Sequence, residues 1–177
     1  MIKKITKLLL LLIIILILGI FYLSYFGIKT TKFNELIKSE VLKVSKKINI
    51  ELDEVKILLN LSDYTISLKT KNPNLIIKNK KIELENIITN FSIGSFVNKE
   101  FAIKNLLAST KKNKISDIIN IARIYQNSPQ MFVIDKIVKN GDIIVNIDLN
   151  FNDKGKITKD YKIKGTVHDA NLRLFNK

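Results

Sequence analysis

The chain has 177 residues, no cysteine, and 30 Lys plus Arg against 16 Asp plus Glu, a formal net charge of +14. Without thiols there are no disulfides, no thiolate metal sites and no lipid-modified N-terminal cysteine. Only Arg123 and Arg173 are arginine among the basic residues, so nucleic-acid binding, which leans on Arg for readout and stacking, is not expected.

Residues 1–7 form a short tail carrying Lys3, Lys4 and Lys7. Residues 8–28 then read LLLLLIIILILGIFYLSYFGI, without a charge. As a helix this run is about 31 Å long, the thickness of a bilayer's hydrocarbon core. It is longer than the apolar segment of a cleavable signal peptide and has no small-residue cleavage site; the first alanine is Ala102. A transmembrane signal-anchor over 8–28 is therefore expected, with Tyr22 and Tyr25 at the interface. Lys29, Lys32, Lys38 and Lys43 follow it. A short tail before a long domain favours the N-terminus inside. In a bacterium this gives a single-pass inner-membrane protein with its C-terminal domain in the periplasm. The lysine surplus suits a solvated surface or anionic lipid headgroups.

Residues 29–47 predict an amphipathic helix. Phe33, Leu36, Ile37, Val41, Val44 and Ile48 recur at helical spacing, and Asn34 or Thr31 is placed to cap it. Such a helix lies on the bilayer or caps a sheet. From residue 48 the period falls to two, and 48–177 reads as a β-rich domain. Tyr64, Ile66 and Leu68 alternate with polar residues, Asn72-Pro73-Asn74 is a turn, and Leu75–Ile77 is a short strand. A turn at Asn79-Lys80, a strand over 81–91, a helical turn over 92–98 and a strand over 100–109 follow. Ser116 caps a short helix that Pro129 ends. A strand over 131–138 and a hairpin turn at Asn140-Gly141 are predicted next.

The last hairpin carries the clearest alternation. Ile143, Val145, Ile147, Leu149 and Phe151 share one face; Ile157, Tyr161, Ile163 and Val167 share it on the return strand. Pairing Phe151 with Ile157 sets Ile147 opposite Tyr161, Val145 opposite Ile163 and Asp148 opposite Asp160.

No catalytic constellation emerges, and no enzyme or cofactor is expected. His168 is the only histidine and has no second His or Cys for a metal. Asp148, Asn150, Asn152 and Asp153 resemble the opening of a calcium loop. The match fails at Asp153, where glycine is needed, and at Lys159, where a bidentate Glu is needed. Phosphate-binding and nucleophile-elbow glycine patterns are absent.

A one-sided apolar sheet must bury that face or put it to use. Packed on a second sheet it is a core. Left open and curved, it is a trough for acyl chains, at about 0.8 kcal/mol per buried methylene. The candidate groove residues are Val145, Ile147, Leu149, Phe151, Ile157, Tyr161, Ile163 and Val167.

The run DYTISLKTKNPNLIIKNKKIELENI, then FSIGSFVNKEFAIKNLLAS, ISDIINIARIY, VKNGDIIVNIDLNF and YKIKGTVHDANLRL resembles the N-terminal part of the AsmA-like family. This is the TamB and YhdP type, similar to chorein-like bridge lipid carriers. The resemblance implies an α+β fold: a transmembrane helix, an amphipathic helix, then a curved antiparallel β meander with short inserted helices. It also implies membrane phospholipid as partner, with transport between inner and outer membranes in outer-membrane biogenesis. Family members are far longer, so 48–177 would be the start of a longer trough. The Asn-Pro-Asn stretch after a single span also resembles anchored β-sandwiches of the late-embryogenesis-abundant type. That alternative implies a structural or adaptor module with an envelope protein as partner.

Overall fold

The structure is a computed structural model and describes residues 2–98, 103–125 and 128–172. Its first element is α1 (Ile2–Tyr25). The stretch Lys3–Tyr25 is long and apolar enough to cross a membrane, with a mean hydropathy of 2.9, and none of its apolar window is buried. The helix ends as the amides of Phe26 and Gly27 both bond the Tyr22 carbonyl. Gly27 takes φ +67°, and a Cβ there would stand 2.4 Å from the Ile57 carbonyl oxygen. Only glycine fits that left-handed turn at such close approach.

A three-residue strand, β1 (Ile28–Thr30), enters the sheet directly. It precedes α2 (Asn34–Val44), shorter than the 29–47 that the pattern predicts because β1 takes residues 29 and 30. Neither predicted cap holds. The N-cap position is Phe33, without a side-chain cap bond. Asn34 Nδ2 donates instead to the carbonyls of Leu52 and Asp53, at 3.1 and 2.9 Å. These bonds fasten the helix to the following strands, and α2 packs on β2 (Ile48–Glu51).

The rest is built on β3 (Glu54–Asn60), β4 (Thr65–Lys71), β5 (Asn74–Ile77) and β6 (Lys80–Ser92), then α3 (Ile93–Val97) and β7 (Ile103–Thr110). After them come β8 (Asn113–Lys114), α4 (Ile115–Tyr125), α5 (Pro129–Ile137), β9 (Val138–Asn150) and β10 (Lys162–Leu172). One antiparallel ten-stranded sheet results, in the order β1-β3-β4-β6-β7-β9-β10. Alongside, β2 pairs β5, β5 pairs β6, and β8 pairs β9. It is a serial meander, as expected, and not a sandwich of two sheets. Residues 100–102 of the predicted strand over 100–109 lie outside the described residues.

Two adjacent strands break together. The β2–β3 junction at Leu52-Asp53 lies beside the β4–β5 junction at Asn72-Pro73. The Asp53 amide bonds the Lys71 carbonyl, and Asn72 Nδ2 donates to the Asp53 carboxylate at 2.7 Å. Asn72 has φ +47°, which Asn tolerates and most residues do not. Beyond this break, β2, β5 and the first half of β6 form a small subsheet. There Ile77, Ile82 and Leu84 pack with Ile121 of α4, flanked by Ile48, Leu75, Ile87, Ile118 and Ile124. The buried core thus occupies one end of the sheet.

Three expectations fail in the second half. Residues 131–138 are not a strand. Pro129 starts α5 at its first turn, with Ser128 as N-cap accepting from the Met131 amide, a combination that favours helix initiation. Asn140-Gly141 is not a hairpin turn. β9 runs straight through it, and Gly141, at φ +138°, faces a bulge in β10 between His168 and Asn171. A Cβ at Gly141 would stand 3.0 Å from Ala170 Cα, so this glycine serves close strand approach. The inserted helices are α3, α4 and α5, three where two are predicted.

Candidate functional site

Antiparallel partners point to the same face, so the register sorts the sheet's side chains. One face is built of apolar rows crossing the strands. The first is Leu59, Ile66, Phe91 and Ile103. The second is Ile28, Ile57, Leu68, Thr89, Leu106 and Leu149. The third continues from Ile87 through Ala108 and Ile147 to Ile163. Two bulges, near Glu85 and Lys104, keep the long β6–β7 pair in phase with these rows.

At the core end the same face closes. Val55, Thr70, Leu84 and Thr110 are buried there. The Thr70 hydroxyl accepts from the Ile87 amide and donates to its carbonyl, at 2.9 and 3.2 Å. Asn113 Oδ1 accepts from the Glu83 amide while its Nδ2 donates to the Glu83 and Lys111 carbonyls. Away from this end, none of the residues of the first two rows is buried. The sheet there is a single layer, and the side chains of its apolar face are half-buried, with Ile28 exposed.

The opposite face is polar and hydrogen-bonded to itself. Ser67 donates to Asn90, Asn90 to Asn105 at 2.7 Å, and Ser109 to Asn146 at 2.7 Å. Glu54 pairs with Lys29 and Lys71 at 3.8 and 3.4 Å, surface contacts worth little each. Leu58, Ile88 and Leu107 interrupt the polar residues. Leu58 lies under the end of α1, with Phe21, Ser24 and Tyr25 beside it.

By their pairing seven of the eight candidate groove residues fall on the apolar face, not equally sheltered, while Tyr161 lies in the unpaired stretch before β10. Val145, Ile147 and Leu149 on β9, and Phe151 just after it, are half-buried. Ile157, Tyr161, Ile163 and Val167 are exposed, on or just before the edge strand β10. The Phe151–Ile157 bridge forms as predicted. The register then shifts by two: Ile147 faces Ile163, Val145 faces Gly165, and Ile143 faces Val167. Lys159 and Asp160 form a turn that takes up the two residues. Asp148 consequently faces Lys162 rather than Asp160, an opposite-charge pair in place of a repulsive one. The Asp160 carboxylate accepts instead from the Thr158 hydroxyl and from Asn150 Nδ2. The Thr158 bond above all, then a backbone bond, Asn150 and Lys162, hold this carboxyl below the usual carboxylate range.

The alternation of residues 143–167 marks these eight positions. It misses the equally placed residues of β3, β6 and β7, whose apolar residues come in doublets such as Leu58-Leu59, Ile87-Ile88 and Leu106-Leu107. Only the register separates the two faces there. Among the described residues, no group of three or more His, Cys, Asp or Glu is placed to hold a metal ion. Asn152 organises the β9–β10 loop: its Oδ1 accepts from the amides of Lys154 and Lys156. Compared with family models, curated proteins and solved structures, the chain finds no match.

Proposed function

We propose that this protein is a membrane-anchored, non-enzymatic carrier that holds phospholipid acyl chains along the apolar face of its sheet. It works at a bacterial inner membrane with the sheet in the periplasm, in phospholipid transport to the outer membrane, as the AsmA-like resemblance implies. The observation that carries this reading is the apolar face of a single-layer sheet, half-buried at its centre and exposed at Ile28 and Ile163. A soluble domain ordinarily covers such a surface, because contiguous apolar patches are costly in water and mark interaction sites. Acyl chains fit it without a specific polar partner, since burial is non-directional and each methylene contributes about 0.8 kcal/mol. The seven strands from β1 to β10 span about 29 Å at the usual strand spacing, a trough wide enough to shelter more than one chain.

An adaptor reading rests on β10. Its outer edge is unpaired among the described residues, and an exposed edge accepts an added strand. A partner strand there would lengthen the trough.

The two readings separate by lipid loading. Full-length protein is purified in detergent and its bound phospholipid counted by mass spectrometry. Lipid around α1 is common to all variants, so the difference between them reports the sheet. Ile147→Asp and Ile163→Asp are expected to lose bound phospholipid while melting within a few degrees of wild type. Equal lipid in all three proteins contradicts the carrier reading.

A further inference from the structure

The turn end of the sheet lies beside the base of α1. The chain enters β1 at Ile28, opposite Ile57. The preceding residues Phe21, Ser24 and Tyr25 share a cleft with Leu58, Asn60, Leu61 and Ser62. The helix therefore runs out past the β3–β4 turn, on the side away from the core. Tyr22 and Tyr25 mark where such a helix leaves the hydrocarbon, because tyrosine favours the membrane–water boundary. The β3–β4 turn sits at that same level.

The other turns of this end gather there. The Ile93 amide at the start of α3 bonds the Tyr64 carbonyl. Asp63 of the β3–β4 turn, Ser95 of α3 and Asn152 of the β9–β10 loop line one shared cleft. Each of these three segments carries a large apolar residue into solvent. Leu61 is 47% exposed, Tyr64 75%, Val97 71% and Ile157 53%. Turn tips are ordinarily polar, and an apolar residue on each of three neighbouring tips is a patch rather than a scatter. Lys154, Lys156 and Lys159 lie in the same β9–β10 loop, where anionic headgroups would attract them.

We propose that this rim is a second membrane contact: Leu61, Tyr64, Val97 and Ile157 dip into the interfacial layer of the same bilayer that α1 crosses. The sheet then stands on the membrane at its turn end, with the core end and α2 pointing away. This contact depends on α1 as the span and not on lipid carriage. It would, however, bring the first apolar row, Leu59 to Ile103, to the bilayer surface.

The chain has no tryptophan, so single tryptophans report each position without background. Full-length Tyr64→Trp and Val97→Trp are reconstituted in vesicles of phosphatidylcholine and phosphatidylglycerol, with and without lipids brominated near the headgroup end of the acyl chain. Phe21→Trp in α1 reports successful insertion. Phe132→Trp on α5, half exposed and packed beside α4, reports the far end. Brominated lipid is expected to quench residues 21, 64 and 97 several-fold and to leave 132 unchanged. Quenching at 21 with 64 and 97 as bright as 132 overturns the proposal. Ile163→Trp separates this result from lipid carriage: a lipid lying along the sheet quenches it too, whereas rim contact alone leaves it bright.

Discussion

Gly27 joins the two halves of the molecule through a single backbone conformation. Its positive φ closes α1, and its missing side chain lets the Ile57 carbonyl approach. Gly27→Ala pays twice, for the left-handed backbone at about 1–2 kcal/mol and for the contact with β3. The expected result is loss of β1 from the sheet edge with the rest of the sheet intact. Hydrogen exchange would show protection lost at Ile28–Thr30 and along β3, but kept in β6 and β7. Unchanged protection at β1 would mean that the junction relaxes freely. Asn34 and Asn113 act similarly at the core end, each spending its amide on backbone groups of another element, and Asn72 spends its amide on the Asp53 carboxylate. The sequence places Asn34, like Thr31, as a cap and Asn72 in a turn. These longer bonds are not legible there, because a side-chain amide carries no sign of which distant group it will reach.

Whole elements were legible where one period dominated. The apolar helix, the serial strands and the shared face of 143–167 all follow from spacing. Errors arose where two explanations fit the same residues. A register shift of two leaves every side chain on its original face, so the alternation alone could not locate the turn at Lys159-Asp160. Residues 131–138 are a short apolar run that suits strand or helix equally. Pro129 suits the end of one helix by sequence, whereas with Ser128 as N-cap it begins the next. The apolar positions also differ in what they stabilise. Ile121→Ala, in the core of α4 against Ile82 and Leu84, is expected to cost about 2–5 kcal/mol in denaturant unfolding. Ile163→Ala, on the edge strand, is expected to stay within about 0.5 kcal/mol. Similar losses at both sites would mean that the apolar face is packed like the core.

At the scale of the molecule, the core is small and stands to one side. α4, the subsheet of β2 and β5, and the break at Leu52-Asp53 and Asn72-Pro73 close one end of the sheet. The strands between that break and the turns carry an apolar face with no partner among the described residues. Folding is thus supported at one end while the other presents apolar surface, an arrangement that suits a carrier better than a catalyst. Composition gave no hint of this division, since core and open face use the same Ile, Leu and Val. Adjacent residues on opposite faces allow a direct test. A photo-crosslinking amino acid is placed at Leu106 or Leu149 on the apolar face, and at their neighbours Asn105 or Asn150 on the polar face, in full-length protein within its native membrane. The carrier account predicts phospholipid adducts at 106 and 149 and none at 105 and 150. Equal labelling of both faces, or no lipid adduct at 106 and 149, would contradict it.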